Sequence, residues 1–121
     1  MEQEEWRFPW LELGVVPGRL TWVAEPFYYP DGEVIHIIAT PLPNGWKISD
    51  DGDTEWYRSG HGIKNTQTYH KCRVLLKQVF GIPADCDELG IEVFGENSDV
   101  QRDEAATKLV AAIRILVEIA D

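Results

Sequence analysis

The sequence lacks the features that would indicate an exported, zinc-binding or membrane-spanning protein. Its two cysteines share no motif spacing with each other or with any of the three histidines, which disfavours a disulfide framework and a zinc site. No apolar run approaches the roughly 18 residues of a membrane-spanning helix. The first residues are acidic where a secretory signal would be basic. We therefore expect a cytoplasmic protein without a membrane partner.

Motifs that carry catalysis are also missing. The chain has no G-x-S-x-G nucleophile turn, no glycine-rich phosphate loop and no paired zinc motif. These absences favour a protein that needs no cofactor and catalyses no reaction.

Charge is unbalanced and unevenly distributed along the chain. The sequence has 21 acids and 11 bases, a net charge of −10, which disfavours nucleic acid as a partner. No acid lies between Glu55 and Asp85, whereas eight acids and one base lie from Asp85 to Glu104. Either the basic and acidic segments neutralise each other across the fold, or they form two separate binding surfaces.

Length and composition predict a single domain. The chain has 121 residues, of which 44% are apolar and 11% aromatic, enough to build a core. Residues 1–17 carry several aromatics, but Pro9 and Pro17 interrupt any long helix there. We expect this segment to be an arm or a short helix and residues 18–121 to form an α+β core.

Turn signals divide the region from residue 19 to residue 49 into a three-stranded antiparallel meander. Pro30-Asp31-Gly32 is a strong turn sequence, and Asn44-Gly45 is the favoured pair for a two-residue hairpin turn. The segment Val34 to Ala39 is apolar on both faces, which is typical of a central strand. A fourth short strand is predicted at Ile91 to Phe94.

Capping residues and helical periodicity predict the helices that pack against these strands. Asp53 or Thr54 should cap a short helix and Thr68 a second one. The second helix should bury a stripe formed by Cys72, Leu75, Leu76 and Val79.

The long C-terminal helix should begin at Ser98, which forms a capping-box pattern with Gln101. Its core positions should be Leu109, Ile113 and Leu116. The apolar face is wide enough that we also expect a homo-oligomer.

The sequence contains the motifs PFYYPDG at Pro26 to Gly32 and SDDGDT at Ser49 to Thr54. Together they resemble a small prokaryotic and phage family that is known only as a domain of unknown function. A Gly81-Ile82 step, a short strand at Ile91 to Val93 and a closing helix extend the resemblance over residues 22–121. The resemblance implies an α+β fold and a bacterial host cell. It implies no catalytic residues, and the interrupted N-terminal segment departs from the family's leading helix.

Four acids around the second motif are candidate ligands of Mg²⁺ or Ca²⁺, which bind hard oxygen ligands. They are Asp50, Asp51, Asp53 and Glu55. Their spacing does not match an EF-hand loop. A structural interpretation explains the same residues, since Asp-Asp-Gly forms turns and acids suit the first turn of a helix.

The basic segment offers a candidate phosphate-binding surface. His70, Arg73 and Lys77 recur at i, i+3 and i+7 on one predicted helical face, and Arg58 and Lys64 precede them. Phosphate groups bind such cations. The alternative is an ordinary solvated helix face.

These patterns favour a protein-interaction domain over an enzyme. The predicted binding surface is acidic and would suit a partner protein with a basic surface, for example a host defence or nucleic-acid-binding protein that this chain inhibits. Its residues are Asp85, Asp87, Glu88, Glu92 and Glu96. The alternative function is a small metal-dependent enzyme or a phosphate- or nucleotide-binding domain that uses the acidic turn and the basic helix.

Overall fold

A computed structural model describes residues 10–12 and 17–119. Within these residues, five antiparallel strands form one sheet whose order follows the chain, and three helices complete an α+β fold. The strands are β1 (Leu11–Glu12), β2 (Leu20–Tyr28), β3 (Val34–Leu42), β4 (Gly45–Ser49) and β5 (Gly90–Phe94). The helices are α1 (Asp53–Gly60), α2 (Gln67–Phe80) and α3 (Ser98–Val117). The predicted meander, the additional short strand and the long C-terminal helix are thus confirmed.

Short turns connect the three central strands as the sequence predicts. The turn before β3 is closed by a hydrogen bond from the Gly32 N–H to the Tyr29 carbonyl oxygen at 2.9 Å. The following hairpin differs by one position, because Pro43 and Asn44 form the turn and Gly45 is already paired with Leu42. Gly45 is needed for close packing, since a Cβ there would lie 1.8 Å from the Val93 carbonyl oxygen.

The core lies on one face of the sheet. Alternate residues of β3 point to opposite faces, and Ile35, Ile37 and Ala39 are fully buried on the same side. Strand register places Ile48 beside Ala39 and Ile91 beside Ile48, which extends this apolar layer to β5. The prediction that β3 is a central strand is confirmed, since it lies between β2 and β4. Only one of its faces is fully buried, and His36 on the other face is exposed.

Helix α3 packs along β3, β4 and β5 and provides the other half of the core. Leu109, Ile113 and Leu116 are fully buried, which confirms the predicted stripe. The helix begins at Ser98 as expected, but Asn97 occupies the N-cap position and no side chain caps it. The predicted capping box is therefore wrong. None of the described helices is long and apolar enough to cross a membrane.

The described part of the N-terminal segment is a strand that lies on the sheet. Leu11 and Glu12 pair with the start of β2. The Trp10 indole lies 6.2 Å from the Trp22 ring and donates a 2.8 Å hydrogen bond to Asp103 of α3. This aromatic therefore packs on the core as expected, while residues 1–9 and 13–16 lie outside the described residues.

Helix α2 buries only part of the stripe that the sequence predicts, since Leu76 is buried and Cys72 packs half-buried against the core. Its N-cap is Thr66, whose hydroxyl accepts from the Tyr69 N–H, and not Thr68. Leu75 and Val79 are 57% and 67% exposed. The buried residues are Tyr69, Arg73 and Leu76. Arg73 donates hydrogen bonds to the carbonyl oxygens of Pro83 and Cys86 outside the helix, and helical periodicity alone does not show such contacts.

Candidate functional site

The acidic turn after β4 is a structural junction built around Asp50. The Asp50 carboxylate is fully buried and accepts three backbone N–H groups, from Gly52 at 2.9 Å, Thr54 at 3.0 Å and Leu89 at 3.1 Å. Burial raises the pKa of Asp50, and these hydrogen bonds oppose the rise. Asp50 therefore joins the end of β4 to the start of α1 and to the residue before β5.

The expected helix cap at Asp53 or Thr54 is wrong. The N-cap of α1 is Gly52, at a φ of 80°, and the side chain that accepts the first helical N–H groups belongs to Asp50. The Thr54 hydroxyl instead lies 3.1 Å from the Tyr29 hydroxyl.

The other candidate metal ligands do not converge with Asp50. Asp51 is exposed, and Glu55 accepts hydrogen bonds from Asn65 at 2.8 Å and from the Tyr69 hydroxyl at 2.9 Å. Among the described residues, no group of three or more histidine, cysteine, aspartate or glutamate side chains is arranged to hold a metal ion.

Arg58, one of the candidate phosphate ligands, is fully buried. Its guanidinium donates to the carbonyl oxygens of Leu116 at 2.8 Å and Lys64 at 2.9 Å, and also to that of Ile119. The same group lies 4.3 Å from the centre of the Tyr69 ring. Arg58 is therefore committed to internal contacts and is not available to a phosphate.

Arg73 is also buried, so the predicted solvated face of His70, Arg73 and Lys77 is wrong at its central position. Its guanidinium donates at 2.7 Å to the carbonyl oxygens of Pro83 and Cys86, which holds the segment between α2 and β5. The remaining candidate cations, Lys64, His70 and Lys77, are exposed.

The predicted acidic surface follows β5 at the edge of the sheet. Asp85, Asp87, Glu92 and Glu96 are exposed. Glu88 is half-buried and accepts from Lys47 at 3.4 Å and from the Ser49 hydroxyl, so it also has a structural role. A shallow cavity of about 470 Å³ lies here, and its walls include Cys86, Glu88, Glu92 and Phe94.

Strand β5 presents backbone hydrogen-bonding groups along this edge. Within the described residues it is the last strand of the sheet and pairs only with β4. Leu89 accepts from Asp50 and Gly95 donates to Asn44, so the odd-numbered residues point toward β4. Backbone groups alternate in direction along a strand. The N–H and C=O groups of Gly90, Glu92 and Phe94 therefore point outward.

A second cavity, of about 340 Å³, lies between α1 and the start of β3. We call it the histidine pocket. One face of α1 and its C-cap residue forms one wall of this cavity. The wall residues are spaced at i, i+3, i+4, i+7 and i+8, and they are Asp53, Trp56, Tyr57, Gly60 and His61. The opposite wall comes from the turn before β3 and from β3 itself, and consists of Tyr29, Asp31, Glu33, Val34 and His36.

Aromatic stacking and one contact between a histidine and an aspartate hold the histidine pocket together. His61 Nε2 lies 3.2 Å from an Asp31 carboxylate oxygen, which connects α1 to the turn. The Tyr57 ring stacks on Tyr29 at 5.3 Å and lies 4.5 Å from the His61 ring. Burial is the main cause that raises the pKa of the Tyr29 hydroxyl, so this group stays protonated at neutral pH.

Three carboxyl groups give the histidine pocket its charge. The pKa of Asp31 is lowered, chiefly because the Glu33 backbone N–H donates to it and then because His61 lies beside it. The pKa of Asp53 is raised by burial first and by the nearby Asp50 and Asp51 charges second. Asp53 on one wall and Asp31 and Glu33 on the other thus face a cavity that no described lysine or arginine lines.

The sequence analysis did not predict this pocket, although the spacing of neighbouring residues along α1 already indicates one of its walls. The helical spacing of Trp56, Tyr57 and His61 places two aromatics and an imidazole on one face of a short helix. The contact of His61 with Asp31, 30 positions earlier in the chain, depends on the tertiary structure.

The chain matches no protein-family model, and no curated protein or solved structure shows significant similarity to it.

Proposed function

We propose that this chain is a non-catalytic protein-interaction domain, and that the acidic edge binds a basic, extended segment of a partner protein. By acidic edge we mean β5 together with Asp85, Asp87, Glu88 and Glu96. The observation that carries the proposal is the outward direction of the Gly90, Glu92 and Phe94 backbone groups beside these acids.

An unpaired strand edge is a template for another strand. Backbone hydrogen bonds supply affinity in such complexes, and pockets that take alternate side chains supply specificity. Here Glu92 and the 53% exposed Phe94 lie on one face of β5 beside the shallow cavity. Because successive side chains of a strand point to opposite faces, a partner strand with alternating basic and apolar side chains would place its cations on the face of Glu92 and Phe94 and its apolar groups on the opposite face, beside the half-buried Val93.

Charge supports the choice of a basic partner. The net charge of −10 attracts cationic surfaces over long range, and acids at the edge fix the orientation of the encounter. The resemblance to a phage family supports one version of this function, in which the chain covers a basic nucleic-acid-binding surface of a host protein.

The test uses a fluorescent peptide of alternating lysine and valine, with a glutamate-for-lysine peptide as the charge control. Anisotropy should show saturable binding of the lysine peptide that weakens from low to moderate salt. Glu92→Gln should weaken binding through charge alone. Glu92→Pro should weaken it further, because it also removes the outward N–H while the ladder to β4 stays intact.

The matched control is Lys108→Gln, an exposed change of one charge on α3, which should leave peptide binding unchanged. Two outcomes would overturn the proposal. One is peptide binding that is insensitive to both Glu92 variants. The other is a shift of DNA or RNA in a gel assay that Lys64→Ala with Lys77→Ala abolishes, since the exposed cations would then carry the function.

A further inference from the structure

We propose that the histidine pocket binds a small organic cation of the alkylammonium class, through the rings of Trp56 and Tyr57 and the carboxylates of Asp31 and Asp53. This site is separate from the acidic edge and does not depend on the function proposed for that edge. Its volume of about 340 Å³ lies within the range typical of small-molecule sites.

The charge of the pocket selects the sign of the ligand. Asp31, Glu33 and Asp53 line the cavity, and among the described residues no lysine or arginine lines it. The two histidines do not outnumber these acids even if both are protonated. An anionic ligand would meet net repulsion, whereas a cation would be attracted both by the wall and by the overall charge of −10.

The aromatic wall favours an organic cation with apolar substituents. Aromatic faces attract cations that lie within about 6 Å of the ring centre, and tryptophan does so most strongly. Arginines already occupy other rings of this protein: Arg58 lies over Tyr69, Arg102 over Trp46 and Arg114 over Phe27. Trp56 is 78% exposed, and among the described residues no arginine or lysine lies over it.

The arrangement suits an ammonium group better than a metal ion. Metal ions in proteins are held by several converging ligands, and no such group of three occurs among the described residues. An alkylammonium group instead needs one ring face and one or two nearby carboxylates. The same chemistry is offered by a free quaternary amine and by a methylated lysine side chain, and the two sources can be separated by experiment.

Isothermal titration calorimetry with choline chloride, against sodium chloride of equal ionic strength, tests the proposal. The key comparison is 3,3-dimethylbutan-1-ol, which has nearly the shape of choline but carries no charge. Choline should bind saturably, and the neutral alcohol at least about tenfold more weakly, as expected when a cation–π contact and a carboxylate both act on the charge. A short trimethyllysine peptide distinguishes the second source, because it should bind more tightly than choline if a protein side chain is the natural ligand.

Variants locate the binding. Trp56→Leu should weaken the binding of choline by about three- to tenfold, and Asp53→Asn should weaken it without changing the affinity for the neutral alcohol. Phe94→Leu is the control, because it changes an exposed aromatic of the acidic edge and should leave the binding of choline unchanged. A melting curve for each variant checks that it is folded.

Three results would overturn the proposal: no binding of either cation, equal binding of choline and the neutral alcohol, or binding that Trp56→Leu does not change. A loss of lysine-peptide binding in Glu92→Pro together with intact choline binding would separate the acidic edge from the histidine pocket.

Discussion

The guanidinium of Arg58 donates a 2.8 Å hydrogen bond to the carbonyl oxygen of Leu116, which ties α1 to the C-terminal end of α3. The last carbonyl groups of a helix have no partner within the helix and carry partial negative charge. From a fully buried position, Arg58 donates to one of them, Leu116, and to the carbonyl oxygen of Ile119 just beyond the helix. No carboxylate among the described residues forms an ion pair with it. A single buried cation thus holds the C-terminal end of the helix that packs against the core face of the sheet.

Arg58→Met should lower the free energy of unfolding by roughly 2–4 kcal/mol, because it keeps most of the side-chain volume but leaves buried carbonyl groups without donors. Arg58→Lys should lose less, since an ammonium can replace some of the hydrogen bonds. Urea denaturation measures both, with Lys64→Met, an exposed cation in the same region, as the control. Equal stability of Arg58→Met and wild type would contradict the structural role of Arg58.

Asp50→Ala should destabilise the protein by roughly 2–4 kcal/mol, because three buried N–H groups lose their acceptor. Asp51→Asn changes the exposed neighbour and should cost less than about 0.5 kcal/mol. Thermal and urea denaturation of the two variants provide the comparison. Saturable micromolar binding of Mg²⁺ that raises the melting temperature and disappears in Asp50→Ala would instead show that the acidic turn is a metal site.

The pH dependence of stability should also report on Asp50. Its pKa in the folded protein is raised above the ordinary value of 3.8, so the folded state holds this proton more tightly than the unfolded state. The corresponding stabilisation is fully present below that ordinary value and is lost as the pH rises through the folded pKa. Asp50→Asn cannot titrate at this position, so the free energy of unfolding of wild type relative to that of Asp50→Asn should fall as the pH rises from the ordinary value of 3.8 through the folded pKa of Asp50.

Denaturation of both proteins at several pH values measures that difference. The difference removes the contributions that the two proteins share, including that of Asp31, whose pKa is shifted downward. If the free energy of unfolding of wild type relative to Asp50→Asn instead rises with pH, the hydrogen bonds to the Asp50 carboxylate affect its pKa more than burial does.

The core face of α3 should be the most sensitive apolar surface of the molecule. Leu109→Ala and Ile113→Ala should each cost roughly 2–5 kcal/mol, the usual effect of removing a fully buried aliphatic side chain. Ile115 is 44% exposed on the same helix, so Ile115→Ala should cost under about 1 kcal/mol. Similar losses at Ile113 and Ile115 would mean that the exposed face of α3 is covered in solution.

Self-association stays a prediction, and the structure changes where it should occur. The exposed apolar residues Leu75 and Val79 lie on α2, whereas the core residues of α3 face the sheet. If the protein forms a homo-oligomer, the double variant Leu75→Glu with Val79→Glu should convert it to a monomer in light scattering. A wild-type protein that is monomeric at every accessible concentration would rule the oligomer out.

Prediction from sequence succeeded where the signal was local. The predicted turn at Pro30-Asp31-Gly32 precedes β3, and the Gly32 N–H closes it on the Tyr29 carbonyl oxygen. The spacing of Leu109, Ile113 and Leu116 likewise identifies the buried face of α3, because the period of a helix is known.

Prediction failed where an interaction joins distant parts of the chain. Arg58 and Arg73 occur in a run of basic residues that is typical of a solvated surface, yet both are buried. Their acceptors come from elsewhere, since Leu116 is 58 positions from Arg58 and Cys86 is 13 positions from Arg73. Propensity and periodicity contain no information about such partners. The same limit applies to the histidine pocket, where His61 meets Asp31.

The sequence by itself determined the fold class, the meander and the core stripe of α3, because turn residues and hydrophobic period act over a few neighbouring positions. Only the tertiary structure decided which charged groups are internal and which form surfaces. Burial of a charge requires several hydrogen-bond partners at once, and the fold supplies them for Asp50, Arg58 and Arg73. The acids of β5 and of the histidine pocket have fewer internal partners and lie at the surface, where they can contact a ligand.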